Sequence, residues 1–424
     1  MKLESYWLTT APPFSAGPEG PVEGRADVAI VGAGFTGLSA ALALAKKGAT
    51  VVVLEAGSIA CEASGRNGGQ CNNGLAHDYV SLAQQIGNER ARAYYRAYDD
   101  AVDAVERLVT EERIDCNFVR AGKIKLAAKP AHYESLARSF ERLHREADPD
   151  TELVPAARLA DEVGSDRFYG GLVHKKSAQM HMGKFAVGLA HAAARHGARI
   201  YEHAAVDRIE RQGGSHRIHC ARGTLDASQV LLATGASRCG PFFYFRRRIV
   251  PVGSFMVVTE PLDRAVVDRI VPKRRTCVTS RTIGNYFRIT PDNRLLFGGR
   301  ARFALSSPRS DAKSGAILHA AMVATFPSLR DVRLDYCWGG LVDMTADRLP
   351  RAGEHNGLFY SMGYSGHGVQ MAVHMGRVMA EVMNGKPAAN PWRDLEWPAI
   401  PGHFGPPWFL PFVGAYYRMK DLLH

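Results

Sequence analysis

Three glycines and one glutamate near the start of the chain have the spacing of a dinucleotide-binding turn. Gly32, Gly34 and Gly37 follow an apolar run in the order G-x-G-x-x-G, and Glu55 ends a second apolar run. The first glycine permits a tight turn, the second lets the backbone approach a pyrophosphate, and the third lets a helix pack on a strand. Glu55 can accept both hydroxyls of an adenosine ribose and disfavours a 2′-phosphate. The stretch therefore predicts a β-α-β unit that binds a dinucleotide other than NADP.

Three further glycine-rich segments could contact such a ligand. The loop 63–70, ASGRNGGQ, offers backbone N–H groups that could wrap phosphates and a ribityl chain, although a plain surface loop has the same composition. An apolar strand at 229–234 runs into Gly235, where a glycine permits close passage of the chain past a cofactor. The turn 363–369, GYSGHGV, precedes a helix whose N-terminal N–H groups favour an electron-rich group.

Composition indicates an ordinary globular protein with excess positive charge. The chain has 424 residues and a formal net charge of +11, which is enough length for two domains or one elaborate domain. Only residues 246–248 form a dense basic cluster, so we expect no nucleic-acid partner; a small anionic substrate or a solvated basic surface accounts for the charge better. No stretch approaches the ~20 apolar residues of a membrane helix, and the start lacks the apolar core of a signal peptide. We therefore expect no membrane association and a cytoplasmic location.

Cysteine and histidine positions do not suggest a metal or a disulfide framework. The seven cysteines, among them Cys239 and Cys337, are scattered and form no C-x-x-C pair. The histidines lack the spacing of metal ligands. We therefore expect no metal site.

The pattern of apolar residues distinguishes helical segments from one region of short strands. Helical periodicity covers 78–112, 132–146, 185–196 and 311–326, and a further helix runs from the 363–369 turn through Met383. Residues 249–300 instead alternate short β-type runs with turns, which predicts antiparallel sheet. Residues 1–24 are rich in Pro and Gly and are expected to be ordered by docking, and the tail 386–424 is expected to lie over the surface.

The motifs together resemble the family of FAD-dependent amine and amino-acid oxidases that includes glycine oxidase, monomeric sarcosine oxidase and D-amino-acid oxidase. The chain looks most similar to the γ-glutamylputrescine oxidoreductase branch. The matching segments run from residue 27 to the C-terminus: VGAGFTGLSAALALAKKGATVVVLEA, ASGRNGGQ, LLATGA, TPDNRLLFGGR, CWGGLVDMTADRLP, GYSGHGV and PWFLPFVGAYYR. ASGRNGGQ and GYSGHGV are the most specific of them.

The resemblance implies FAD and an α/β fold in which a discontinuous Rossmann-like FAD-binding domain is joined to a substrate domain built on an antiparallel sheet. We assign 25–76, 177–242 and 336–385 to the first domain and 77–176 and 243–335 to the second. By matching to the family's motifs, the ADP part of FAD is held by Gly32, Gly34, Gly37 and Glu55, and Val206 contacts adenine through its backbone. The segment Arg66 to Gln70 lies along the pyrophosphate, the ribityl chain and the flavin ring. The pyrimidine edge of the flavin is contacted by Gly366, His367, Gly368 and Val369. The remaining predicted cofactor contacts are Phe35, Thr36, Ala56, Ser64, Asn67, Gly68, Gly69, Ala233, Gly235 and Gly363.

Several positions differ from the relatives. The carboxylate-binding arginine of glycine oxidase, after a W-x-G-L stretch, is replaced by Val342, and the lysine that follows G-H-G in sarcosine oxidase is replaced by Gln370. The oxygen-activating lysine falls at Leu296. Arg300 is therefore our first candidate for a substrate carboxylate, with Arg288 second; a solvated strand charge or an ion pair is the alternative for both. Tyr286 and Gln370 complete the predicted catalytic set.

Two residues next to these motifs have open roles. Cys337 lies near the covalent flavin link of sarcosine oxidases, and a buried free cysteine is the alternative. His367 is expected to bond to the cofactor or to cap a helix rather than to act as a catalytic base.

The predicted activity is oxidation of the C–N bond of a small secondary amine or amino acid by hydride transfer to FAD. An N-substituted glycine or iminodiacetate is the expected substrate, and O2 the expected acceptor, reduced to H2O2. The alternatives are a γ-glutamylputrescine-type or other aliphatic amine oxidase, a flavin dehydrogenase that passes electrons to a partner protein, and a flavin protein that acts on RNA. The oligomeric state has no sequence signature.

Overall fold

The computed structural model describes residues 1–237, 240–300 and 305–423, so Cys239 lies outside the described residues. The helices are α1 (Tyr6–Thr9), α2 (Phe35–Ala45), α3 (Ala63–Arg66), α4 (Tyr79–Ile86), α5 (Asn88–Glu111), α6 (Pro130–Glu146), α7 (Met182–Arg195), α8 (Phe243–Arg246), α9 (Arg264–Ile270), α10 (Pro308–Thr325), α11 (Gly368–Met383) and α12 (Leu410–Leu423). The strands are β1 (Arg25–Val31), β2 (Val51–Leu54), β3 (Gln70–Cys71), β4 (Lys123–Leu126), β5 (Thr151–Pro155), β6 (Gly170–His174), β7 (Ala178–Gln179), β8 (Arg199–Tyr201), β9 (Val206–Gln212), β10 (Ser215–Cys220), β11 (Gly223–Leu232), β12 (Val250–Thr259), β13 (Thr276–Thr279), β14 (Asn285–Ile289), β15 (Leu295–Gly299), β16 (Leu334–Met344), β17 (Arg351–His355) and β18 (Leu358–Met362).

The first sheet contains the predicted dinucleotide-binding unit. Its strands follow the order β17-β18-β11-β1-β2-β8, and β10 and β9 continue from β11 as an antiparallel extension. The pairs β1–β2, β1–β11, β2–β8 and β11–β18 are parallel. Val28 and Ile30 of β1 pack into one core cluster, and Ala29 and Val31 pack into another. Burial on both faces explains why β1 is a continuous apolar run.

Helix α2 packs directly against the turn that follows β1 because position 37 has no side chain. A Cβ placed at Gly37 would lie 1.9 Å from the carbonyl oxygen of Gly32. Gly32 itself has φ +105°, in the region that favours glycine. Two glycines of the motif are therefore required by backbone geometry alone.

The second sheet has two different faces. Its order is β16-β12-β15-β14-β13-β4-β6-β5, and the pairs are antiparallel except for β13–β4. One face packs under α9 and α10 through residues such as Phe255, Phe297 and Leu318. The opposite face packs toward the first sheet through Leu296 and Trp338, which belong to the largest core cluster. Antiparallel sheet in the region 249–300 agrees with the alternation of its residues.

The structure differs from the sequence-based boundaries in two places. β16 belongs to the second sheet, so the predicted FAD-domain segment 336–385 starts inside a strand of the other sheet. The helix predicted over 78–112 is broken at Gly87, which has φ +87°, into α4 and α5. The tail 386–424 ends in helix α12, and Asp421 in that helix accepts the backbone N–H groups of 282 and 283 at 2.9 and 2.7 Å. Among the described residues no helix is both long and apolar enough to cross a bilayer.

Replacing Gly37 by alanine should destabilise the fold and weaken cofactor binding, because the new methyl group cannot coexist with the Gly32 carbonyl at 1.9 Å. We expect a loss of about 3 kcal/mol, the upper range for overpacking. Thermal unfolding followed by circular dichroism measures it. Gly20→Ala is the control, since a Cβ at Gly20 meets nothing within 4 Å. A Gly37→Ala protein as stable as the control would contradict this account of the turn.

Candidate functional site

The dinucleotide turn is joined to Glu55 by hydrogen bonds. The Glu55 carboxylate accepts the backbone N–H of Ala33 at 2.7 Å and that of Gly57 at 2.9 Å. Gly34 is the N-cap residue of α2 and offers no side chain to the first turn of that helix. Ser64 accepts the N–H of Phe35 at 3.0 Å and thereby holds the loop 63–70 against the turn. The glycine motif, the acid and the second glycine-rich segment therefore lie together.

The side chain of Arg66 is used to join the loop to the second sheet. Its Nε donates to the carbonyl of Cys61 at 2.8 Å, and its Nη1 donates to the carbonyl of Gly339 in β16 at 3.0 Å. Asn67 folds back on its own loop: its amide donates to the carbonyl of Ser64 at 2.8 Å, and its Oδ1 accepts the N–H of Gly69 at 2.8 Å. The loop therefore has a defined shape set by its own polar side chains.

The turn 363–369 is held by a buried carboxylate that the sequence analysis missed. Asp343, in β16, accepts the N–H of Gly363 at 2.6 Å. Burial raises the pKa of Asp343 to about 6, although the N–H groups of Gly363, Tyr364 and Ser365 oppose that rise. Gly363 and Gly366 have φ of +81° and +92°. β16 contains two acids, Asp335 and Asp343, and nothing in the sequence singles out Asp343.

Tyr286 lies between the second sheet and the loop 63–70. Its ring occupies the space above Gly68 and Gly298, where an added Cβ would come within 2.8 and 2.4 Å of the ring. Its hydroxyl is 2.9 Å from the Ser254 Oγ. Glycine at 298 is therefore required for Tyr286 to lie flat on the sheet. Tyr286 thus contacts the loop at Gly68, and its catalytic role stays a prediction.

Four basic side chains lie in the region around Tyr286: those of Lys123, Lys125, Arg300 and Arg348. Lys123 and Lys125 alternate along β4 with Ile124 and Leu126, which pack in the second core. Strand pairing places Lys125 beside Val278, and Val278 beside Tyr286, so Lys125 lies on the sheet face of Tyr286, two strands away. The Lys123 ammonium donates to the carbonyl of Asn73 at 2.7 Å. Sequence analysis missed both lysines because nothing local indicates that β4 joins this sheet.

Arg300 and Arg348 complete the group of cations. Burial lowers the pKa of Arg300, and the charge of Arg348 lowers it further. Burial also lowers the pKa of Lys125, and Arg348 adds to that effect while Asp78 opposes it. Burial lowers the pKa of Lys123 to about 7, and Lys125 adds to the decrease. Each of the four is half-buried.

His367 is the group on which these charges act together. The pKa of His367 is lowered to about 3. Burial is the largest cause, and the charges of Lys123, Arg348 and Arg300 lower the pKa further. The imidazole is therefore neutral at physiological pH. Its Nδ1 is buried and has no hydrogen-bond partner within the described ranges. A buried ring nitrogen without a partner fits a bond to a ligand better than an acid–base role.

Two predicted catalytic residues are buried and hydrogen-bonded to the backbone. Arg288 is 1% exposed, and its Nη1 donates to the carbonyls of Gly69 at 2.5 Å and Met180 at 2.9 Å. Gln370 is also 1% exposed, and its Nε2 donates to the carbonyl of Asn72 at 2.6 Å. These contacts favour a structural role for both side chains, and their catalytic role stays a prediction.

Cys337 lies on the wrong face of β16 for a flavin link. Its thiol is buried in the second core and donates to the carbonyl of Asp311 at 3.2 Å. The next residue, Trp338, points to the opposite face and donates to the carbonyl of Arg66 at 3.0 Å. Of the two alternatives for Cys337, the structure favours the buried free cysteine.

Some of the other predicted cofactor positions are buried side chains, and others are glycines with free space beside their Cα atoms. Phe35, Thr36, Val206 and Val369 are buried, and the Thr36 hydroxyl is 2.7 Å from that of Tyr364. An added Cβ at Gly235 or Gly366 would have no neighbour closer than 3.9 Å. These open glycines, together with Glu55, the glycine-rich loop 63–70 and the His367 Nδ1 that has no partner among the described residues, fit an FAD site. Ala56 and Ala233 flank the same turns in the sequence.

Comparison with known proteins agrees with this geometry. The family model "FAD dependent oxidoreductase" (DAO) matches residues 27–382. Gamma-glutamylputrescine oxidoreductase of Escherichia coli K12 is 32% identical over 405 residues, which cover 94% of this chain and 93% of that protein. The structure of glycine oxidase from Geobacillus kaustophilus superposes with a TM-score of 0.69 at 24% identity, covering 90% of this chain and 99% of that one. The iminodiacetate oxidase of Chelativorans sp. BNC1 superposes with a TM-score of 0.67 at 18% identity, covering 86% and 97%.

The last two identities are below 25% and speak to the fold alone, whereas the family match covers most of the chain and includes every glycine-rich segment described above. This chain therefore belongs to the DAO family of FAD-dependent oxidoreductases and is an enzyme of the amine and amino-acid oxidase type.

Proposed function

We propose that the enzyme oxidises the C–N bond of a small secondary amine or amino acid that carries a carboxylate, such as an N-substituted glycine or iminodiacetate, with O2 as the acceptor. The supporting observation is that Lys125, Arg300 and Arg348 have no carboxylate partner among the described residues. Partly buried cations are costly unless an anion compensates them. A substrate carboxylate is the missing anion.

Two acids near this cluster have other hydrogen-bond partners. Asp347 accepts Arg351 Nη2 at 2.6 Å. Asp78 caps helix α4 by accepting the N–H of Ser81 at 2.9 Å, and its charge acts on Lys125. No carboxylate is among the groups that shift the pKa of Arg300, so its positive charge remains available to a ligand.

The same cations favour the reactive form of an amine. Bound FAD supplies the hydride acceptor, and only an amine with a free lone pair releases hydride readily. A positive charge close to the amine lowers its pKa, because it disfavours the ammonium form. Arg300 and Arg348 would thus anchor the carboxylate and keep the nitrogen neutral. The product imine hydrolyses in water to an aldehyde or keto acid and a smaller amine, which needs no strong protein base.

Two alternatives have their own support. The 32% identity to a gamma-glutamylputrescine oxidoreductase favours a γ-glutamylated amine, whose glutamyl carboxylate could also bind Arg300, whereas a free polyamine would be repelled. Leu296 stands where related oxidases carry an oxygen-activating lysine, and it is fully buried. That replacement favours transfer of electrons to a partner protein instead of O2.

Removing the Arg300 side chain should weaken binding of an anionic substrate. For Arg300→Ala we expect KM for iminodiacetate to rise about tenfold or more with a smaller change in kcat, because the lost bond anchors the ground state and the transition state alike. Arg264→Ala is the control, since that side chain is 84% exposed. A KM equal to that of the control would exclude Arg300 as the anchor.

Binding of an anionic substrate should weaken as pH rises through about 7, the pKa to which burial lowers Lys123. Lys123 is protonated below that pH and neutral above it, so the site loses one positive charge, which raises KM by about tenfold. In Lys123→Met this step should disappear, and KM should stay at the high-pH value. Lys175→Met, at a lysine whose side chain is 54% exposed, is the control. A step that persists in Lys123→Met would assign it to another group.

An anaerobic visible spectrum identifies the substrate class directly. We expect iminodiacetate or sarcosine to bleach the flavin band of the purified enzyme, and air to restore it within seconds. Glycine and putrescine serve as comparison amines. Bleaching by γ-glutamylputrescine alone would support the first alternative, and slow recovery in air would support the second.

A further inference from the structure

The N-terminal segment, residues 1–9, crosses from the second sheet to the flavin loop 63–70. Lys2 extends β16 at its edge: its N–H donates to the carbonyl of Asp335 at 2.7 Å, and its carbonyl accepts the N–H of Cys337 at 2.8 Å. Tyr6 donates its hydroxyl to the carboxylate of Asp292 at 2.6 Å. The segment is thus fixed on the second sheet before it reaches the loop.

Two side chains of this segment bind carbonyl groups of the flavin loop. Ser5 Oγ donates to the carbonyl of Gly65 at 2.6 Å, and Trp7 Nε1 donates to the carbonyl of Asn67 at 2.7 Å. Trp7 is fully buried and Ser5 is 3% exposed. The second sheet supplies the complementary donors, Trp338 to the carbonyl of 66 and Arg288 to that of 69. Four loop carbonyls are therefore bound by side chains from outside the loop.

The contact is closely packed as well as polar. A Cβ at Gly65 would lie 2.6 Å from the Leu8 side chain, and a Cβ at Gly69 would lie 2.9 Å from the Trp7 ring. On the other side of the segment, a Cβ at Gly183 would lie 2.0 Å from the Trp7 carbonyl. These three glycines allow the segment to lie directly between the loop and helix α7.

Binding of the carbonyls fixes the direction of the loop's N–H groups. In a trans peptide the C=O and N–H bonds point to opposite sides, and the described residues contain no cis peptide. The N–H groups of 66 and 67 bond within helix α3, but when the carbonyl of 67 points toward Trp7, the N–H group of 68 points away from Trp7. Preorganised N–H groups are what an anionic or electron-rich cofactor needs.

We propose that Ser5 and Trp7 are positioning residues of the FAD site, and that residues 1–9 hold the flavin loop in the shape in which it binds the cofactor. The role concerns FAD binding and does not depend on which amine is oxidised. By reciprocity of linked equilibria, bound FAD must in turn stabilise the docked N-terminal segment.

The test compares two tryptophan-to-phenylalanine substitutions. Trp7→Phe removes the bond to Asn67 and keeps the ring, whereas Trp392→Phe makes the same change at a buried tryptophan whose Nε1 has no partner in the part of the chain that the structure describes. The Kd of FAD is measured by quenching of flavin fluorescence on titration with each apoprotein. We expect Kd to rise about tenfold for Trp7→Phe, because a buried carbonyl loses its donor, and to be unchanged for Trp392→Phe.

Ser5→Ala and limited proteolysis complete the test. Ser5→Ala should raise the Kd by a similar factor with little effect on folding. Saturating FAD should slow proteolytic cleavage within residues 1–9 of the wild type. Equal Kd values for wild type, Trp7→Phe and Ser5→Ala, or cleavage that is insensitive to FAD, would overturn the proposal and show that the segment serves stability alone.

Discussion

Binding of backbone carbonyls in the loop 63–70 is the constraint on which the rest of this structure depends. The loop lies where the two sheets meet, so its polar groups are shielded from water and must find partners in the protein. Those partners come from the N-terminal segment, from β14 and from β16. Hydrogen bonding to this eight-residue loop thus brings together elements that are far apart in the sequence.

The same constraint accounts for the positions of two conspicuous polar residues. Arg288 and Gln370 stand beside the flavin motifs in the sequence, but each satisfies a backbone carbonyl. In the proposed substrate site, positive charge comes instead from Lys125, Arg300 and Arg348. The protein therefore separates two uses of basic side chains, one structural and the other available to a ligand.

How much could be predicted from the sequence depended mainly on how far apart in the chain the interacting residues lie. The β-α-β unit was predictable because Gly32, Gly37 and Glu55 act within 30 residues of one another, and the alternation of residues 249–300 together with the family likeness predicted the second sheet. The pairing of β4 with β13 joins residues more than 150 positions apart, so the orientation of Lys123 and Lys125 had no local signal. Asp343 was missed although Gly363 lies only 20 positions away, because nothing in the sequence distinguishes it from Asp335 in the same strand.

Docking of the N-terminus on β16 also affects the order in which the protein can mature on the ribosome. Lys2 pairs with Tyr336, and at 5–20 residues per second the intervening chain takes roughly half a minute to synthesise. During that time residues 1–9 lack their partner on β16, and the flavin loop lacks two of its donors. Assembly of the cofactor site is thus a late event that waits for synthesis of β16, although the glycine motif that begins the site is made among the first residues.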